Sequence, residues 1–214
     1  MSQAGTTPGG IKPGDIKPVG ILISGRGSNM AALIEAAKQP GYPARIAVVI
    51  ANRADAEGLT IAQAAGIATE VIPSKGKERA AFDAELDAAL KRHGIEIVCL
   101  AGFMRLLTPG FVEGWQGRMI NIHPSLLPAF KGTRVHERVI ESGTRITGCS
   151  VHFVVPEMDE GPVILQAEVP VPDGVTPEQL ADLVLLEEHK LYPQALRLLA
   201  EGKLRVEDNQ VQVQ

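Results

Sequence analysis

Aromatic residues make up only 4% of this 214-residue chain, and cysteine occurs just twice. With so few rings, the 45% hydrophobic content rests on Ala, Val, Ile and Leu, which suits a parallel α/β sheet buried on both faces. Cys99 and Cys149 have no paired spacing of the kind that zinc sites or disulfide frameworks require. Both lie in apolar, strand-like runs and read as buried, reduced thiols. No apolar stretch approaches the length of a transmembrane helix. Residues 1–17 are rich in Gly, Pro and Thr and lack the apolar segment of a secretory signal. They read as a disordered leader. Together these absences indicate a cytoplasmic protein. The net charge of -4 excludes bulk binding to nucleic acid or an anionic membrane.

What is present is an alternation of strand and helix patterns, with no internal repeat. Strands are expected over 19–24, 46–51, 68–72 and 95–101, and helices over 29–38, 57–65 and 77–92. In the last of these helices Phe82, Leu86 and Leu90 recur at i, i+4 and i+8. That order implies a mostly parallel sheet with right-handed crossovers. The second half differs. Two longer strands, 146–155 and 162–171, flank an acidic loop and predict an antiparallel hairpin. Thr176-Pro177-Glu178-Gln179 is a capping box with proline at the first helical position. The long last helix it opens is expected to stop at Gly202. At this length one domain is expected, over 18–214.

The run Asn121-Ile122-His123-Pro124 carries the strongest chemical signal. It follows a buried strand, and residues i and i+2 of a strand share a side. Asn121 and His123 should project together at a strand end, where Pro124 stops the ladder. A neutral donor beside a titratable one suits a reaction that builds negative charge on a carbonyl oxygen. A capping Asn with an ordinary surface His is the competing reading. Downstream, Asp159 precedes Gly161-Pro162 on the acidic loop, where a turn can hold a carboxylate rigidly. Placed near His123, it would favour the charged ring. Turn formation alone is the alternative.

Gly25-Arg26-Gly27-Ser28-Asn29 stands where the first strand meets the first helix. Glycines there let backbone N–H groups approach an anion at the helix start. The string is neither G-x-G-x-x-G nor a Walker loop. It reads as a phosphate cradle or as a plain strand-to-helix turn.

Five strings resemble, in order, the glycinamide ribonucleotide formyltransferase family: residues 23–29, Leu100-Ala101-Gly102-Phe103-Met104-Arg105, residues 121–128, Gly148-Cys149-Ser150-Val151-His152-Phe153, and residues 159–166. The likeness covers about Pro18 to Gly202. It implies a Rossmann-like fold and transfer of a formyl group from 10-formyltetrahydrofolate, as co-substrate, to glycinamide ribonucleotide in purine biosynthesis, without a metal. The catalytic residues it implies are Asn121, His123 and Asp159. Gly27, Ser28, Asn29 and Glu188 are expected to bind the ribonucleotide. Arg79, Met104, Arg105, Leu106, Leu107, Asn121, Val155, Pro156, Glu157, Met158 and Asp159 are expected at the folate. The phosphate-binding half would extend to about residue 117 and the folate-binding, catalytic half would follow it. Arg26, Leu185 and Glu160 depart from the family pattern. His152 is expected to support the loop, and His93 and His136 to lie on the surface.

Three rivals share parts of this pattern. A formyltetrahydrofolate deformylase would use the same Asn, His and Asp but include an N-terminal regulatory domain, where only a short leader is expected here. A methionyl-tRNA formyltransferase would need a further C-terminal domain and a basic surface. A non-catalytic nucleotide-binding module would keep the glycine loop but have no use for Asn121, His123 and Asp159 together. Small-molecule substrates are the partners implied, with no nucleic acid and no membrane. The oligomeric state is left open between monomer and dimer.

Overall fold

The computed structural model describes residues 15–214. The leader expected over 1–17 falls mostly on residues 1–14, outside the described residues. Lys17 already belongs to the first strand, paired with Ala44 and only 3% exposed, its Nζ 3.3 Å from Glu96.

The first half runs β1 (Lys17–Ile23), α1 (Ser28–Ala37), β2 (Ala44–Ala51), α2 (Gly58–Ala64), β3 (Ala68–Val71), α3 (Arg79–Arg92), β4 (Ile97–Leu100), α4 (Pro109–Gly114) and β5 (Met119–His123). The second half adds α5 (Val135–Glu141), β6 (Ile146–Phe153), β7 (Val163–Pro170), α6 (Pro177–Ala200), β8 (Leu204–Glu207) and β9 (Gln210–Val213). Seven strands form one sheet in the order β3-β2-β1-β4-β5-β6-β7. The first five are parallel, and β6 and β7 add antiparallel to the β5 edge. This is the α/β architecture expected, with the predicted hairpin at β6 and β7.

Successive strand residues face opposite layers, as the period of two demands. Ile21, Ile23 and Cys99 join the layer of Met30, Leu33, Val139, Tyr192 and Leu196. Leu22 and Val98 join the layer of Phe82, Leu86, Phe111 and Trp115. Both thiols are buried, and burial pushes each up to about 12.

The capping box forms as expected, with Gln179 N–H donating to Thr176 Oγ1 and Thr176 N–H to Gln179 Oε1. β4 starts two residues later than expected. Ile95 N–H is spent closing the end of α3 on Leu90 O at 3.0 Å, beside Gly94 at φ 62°. Two short helices were not expected. α4 did carry a signal, Thr108 as cap with Pro109 after it. α5 carried none, because its cap is Arg134 at φ 53° with no side-chain bond. The 204–213 segment, left unassigned by the sequence, folds as the β8–β9 hairpin.

Candidate active site

The sheet changes direction between β1 and β4, since β2 and β3 are laid down on one side of β1 and β4 and β5 on the other. Loops leaving these strands diverge and open a crevice, the usual ligand position in open α/β sheets. A cleft of about 590 Å³ lies there, lined by residues 24–29 after β1, Ala101 and Gly102 after β4, Ile122 and Pro124 around the end of β5, and Leu185 and Glu188 of α6.

Gly27 caps α1 in the left-handed region at φ 75°, and a Cβ there would lie 2.8 Å from Gly58 Cα. Close packing of the loop on α2 therefore demands glycine. No side chain caps α1 and its first turn holds no acid. Its leading amides and positive dipole end are left for an anion. Arg26 stands exposed on the same cleft wall and makes no ion pair among the described residues. Arg53, also on the wall, is tied to Asp55 at 2.6 Å.

Asn29 and Glu188 meet: Asn29 Nδ2 donates to Glu188 Oε2 at 2.6 Å, while Asn29 Oδ1 is buried without a partner. Asn29 thus spends its amide on Glu188, leaving its backbone N–H for an anion. Burial raises the pKa of Glu188, and the bond from Asn29 opposes that rise. One turn on, the Tyr192 hydroxyl lies 3.0 Å from Leu100 O and 3.1 Å from Ile120 O. That contact pins α6 across β4 and β5 and sets the place of Glu188.

A second, smaller cavity of about 150 Å³ opens on the other side of the β5 end. Of the residues the resemblance assigns to the folate, Arg105, Leu106, Leu107, Asn121, Val155, Pro156, Met158 and Asp159 line it, and Phe103, His152 and Val154 join them. Met104 instead lines the first cleft and is 76% exposed. Arg79 and Glu157 are exposed and line neither cavity. The Arg105 guanidinium donates to Ser74 O at 3.0 Å and Lys77 O at 2.9 Å and lies over the Phe82 ring. It clasps the loop before α3 more than it offers a free charge.

Asn121, His123 and Asp159 come together, and His152 stands with them. Residues 121 and 123 share a face of β5, opposite His152 and Ser150 of β6. The acidic loop is closed at its base by Phe153 N–H on Pro162 O at 2.9 Å. Gly161 is required there, since a Cβ would meet Phe153 O at 1.8 Å. Asp159, at φ 57°, accepts Gly132 N–H on Oδ2 at 2.8 Å. The same oxygen is 3.5 Å from His123 Nδ1, and Oδ1 is 3.7 Å from His152 Nε2.

His152 was expected only to support the loop. Its Nδ1 lies 2.8 Å from Phe153 O and its Nε2 3.2 Å from Asn121 Nδ2. A neutral ring protonated at Nδ1 satisfies both contacts, with Nε2 accepting from the amide. Burial lowers the pKa of His152 and keeps it in that form, against smaller opposing effects of Phe153 O and Asp159. Asn121 is thereby oriented, with a second amide hydrogen left for a ligand.

His123 is 5% exposed, with Nε2 3.0 Å from Phe130 O and Nδ1 facing Asp159. Both nitrogens face oxygen atoms. Glu160 turns away to Lys131 at 2.5 Å. His136, expected on the surface, is half-buried and lines the larger cleft. No spacing rule flagged it, because α5 was not legible. His93 sits 3.3 Å from Glu70, away from the site.

Comparison with known proteins follows the same lines. A family model described as formyl transferase matches residues 17–196. The chain is 44% identical over 190 residues to phosphoribosylglycinamide formyltransferase of Escherichia coli, covering 88% of this chain and 90% of that one. It is 51% identical over 192 residues to the trifunctional purine biosynthetic protein adenosine-3 of Bos taurus, covering 89% of this chain but 19% of that protein. The chain thus spans about a fifth of the length of such trifunctional relatives. A crystal structure of glycinamide ribonucleotide transformylase 1 from Symbiobacterium toebii matches with a TM-score of 0.91 and 43% identity, over 97% of this chain and 99% of that one. A formyltetrahydrofolate deformylase from Pseudomonas syringae matches at a TM-score of 0.87 and 26% identity, over 93% of this chain and 66% of that one.

Proposed function

This chain belongs to the formyl transferase family, and on that premise we propose that it moves the formyl group of 10-formyltetrahydrofolate onto the amine of glycinamide ribonucleotide, a step of purine biosynthesis. One observation carries the reading. The end of β5 is the wall between two cavities: Asn121 lines one, while Ile122 and Pro124 line the other. Two ligands seated on either side would meet at that strand end, which suits direct transfer.

The larger cleft suits the acceptor. Its phosphate would dock on the open amides at Gly27, Ser28 and Asn29, and Glu188 would meet a hydrogen-bond donor further along. The smaller cavity is lined by Leu106, Leu107, Val155 and Met158 around Asn121, a slot for a flat heterocycle fixed by few polar groups. In the transfer, the amine attacks the formyl carbon. The free N–H of Asn121 donates to the oxygen as negative charge develops. His123 and Asp159 set the local field, and His123 supplies the proton to N10 after exchanging one of its oxygen partners for substrate. Neither thiol is available as a nucleophile, since burial suppresses both thiolates. No covalent enzyme intermediate and no metal is invoked. We place the reaction in the cytoplasm, supported by two free, buried cysteines and by the absence, among the described residues, of any helix long and apolar enough to cross a membrane.

The deciding experiment follows tetrahydrofolate and formylated ribonucleotide together. Tetrahydrofolate release should be slow until glycinamide ribonucleotide is added, and the two products should then appear in step. Fast release of free formate that ignores the acceptor would sink the transferase and favour the hydrolase.

A further inference from the structure

The proposed transfer moves two protons, and the residues assigned to it account for one. The amine must lose a proton as it bonds to the formyl carbon, while N10 must gain one as it leaves. His123 has both ring nitrogens directed at oxygens, Phe130 O and Asp159 Oδ2. His152 has both committed, to Phe153 O and Asn121 Nδ2. Neither presents a free lone pair to the acceptor. Glu188 lines the acceptor cleft, but its Oε2 is held by Asn29 at the loop end, 2.6 Å away.

A further imidazole lines that cleft. His136 is the second residue of α5, whose neighbours Val135 and Val139 are anchored in the core at 4% and 0% exposure. It shares the cleft wall with Ile122 and Pro124, the residues flanking His123. Its Nδ1 is buried without a partner among the described residues. Resting on the transferase reading above, we propose that His136 is the base that takes the proton from the attacking amine of the acceptor.

The step balances. The amine's lone pair forms the bond to the formyl carbon, and the carbonyl π pair moves to oxygen beside Asn121. The nitrogen, now positive, gives its proton to His136. The oxygen's pair then reforms the carbonyl and the C–N10 bond breaks, its electrons taking the proton from His123. His136 returns its proton to solvent and His123 regains one.

The surroundings favour a neutral His136. Burial lowers its pKa, Glu137 of the same helix opposes this, and the charge of His123 on β5 adds to the lowering. Asp182 and Glu188 of α6 and Arg26 and Arg53 are the other charged residues lining the cleft. A second imidazole held neutral beside a donor imidazole is the division of roles that acid–base pairs require.

The test uses the whole chain with saturating formyl-folate and acceptor. His136→Gln should lower turnover by roughly a hundredfold or more, with little change in the Michaelis constant for the folate. The acidic limb of the wild-type turnover profile should be lost. Added imidazole should restore turnover to His136→Gly in a saturable way, and should the glycine variant not fold, the profile of His136→Gln decides. Near-normal turnover, or a loss that imidazole does not rescue and that follows a lowered unfolding temperature, would overturn the base. The wild-type control separates the two claims. A wild type that makes no formylated acceptor defeats the transferase reading itself, whereas an active wild type beside equally active variants defeats only His136.

Discussion

Asn29 and Glu188, 159 residues apart, are joined by a 2.6 Å hydrogen bond across the cleft floor. The bond ties the loop after β1 to α6, so it joins the two ends of the proposed acceptor site. Burial also makes the charged form of Glu188 costly, and its folded pKa lies above the usual glutamate value.

Glu188→Gln keeps the shape and removes that cost. For a carboxyl whose folded pKa is raised, the favourable contribution is complete below the unfolded pKa and is lost as pH rises through the folded value. The variant should therefore melt higher than the wild type at neutral pH, by about 2–4 °C for each kcal/mol relieved. The gain should shrink as pH falls below the folded pKa and vanish below the unfolded one. The Michaelis constant for the ribonucleotide should rise while that for the folate holds. Scanning calorimetry from pH 4 to pH 8, roughly the span over which a raised carboxyl titrates, checks the first part. A constant difference across that range would mean that the charge is not what burial penalises.

His123→Asn should cost about two to four decades of turnover. Because His123 closes a strand end and is held by Phe130 and Asp159, cooperative unfolding should persist. Turnover measured beside thermal unfolding distinguishes chemistry from collapse. A folded variant with near-normal turnover would remove His123 from the mechanism.

Asp159→Asn is well tolerated by the backbone, since asparagine readily adopts the φ of 57° found there. It removes a negative charge 3.7 Å from His152 Nε2. That charge raises the pKa of His152 against the larger effect of burial. The His152 ring should then titrate at still lower pH, which NMR of the ring protons reads directly. An unmoved titration would show that the carboxylate does not act on His152 in solution.

Gly25→Ala and Gly27→Ala separate binding from folding. A Cβ at Gly25 meets nothing within 4 Å, whereas one at Gly27 adds a left-handed φ of 75° to a 2.8 Å contact with Gly58. Gly27→Ala should destabilise the protein by about 1–3 kcal/mol through strain alone, before the clash. Gly25→Ala should unfold like the wild type and weaken only the ribonucleotide. Equal unfolding temperatures for the two would contradict the packing at Gly58.

Much of the fold was legible because local chemistry spoke for it. The strand and helix alternation, the capping box at Thr176 and the hairpin around the acidic loop all rest on short-range patterns, and the structure keeps them with shifts of about two residues. α5 and the β8–β9 hairpin were not legible. One begins at a left-handed arginine without a side-chain cap, and the other, although Leu204-Arg205-Val206-Glu207 and Gln210-Val211-Gln212-Val213 alternate strictly, has strands of only four residues each, at the short limit where a period of two stands out.

The sequence by itself determined which functional groups are available: an amide and an imidazole two residues apart on a strand, a carboxylate on a glycine-closed loop, and a glycine-rich strand-to-helix turn. Spacing along the chain delivers those, because i and i+2 on a strand share a face. The tertiary structure alone decided which groups meet. Sheet order opened the crevice between β1 and β4. Antiparallel register set His152 opposite Asn121. α6 carried Glu188 to Asn29, and α5 carried His136 into the cleft. Those meetings depend on long-range packing between segments with no local pattern in common, so no window of sequence encodes them.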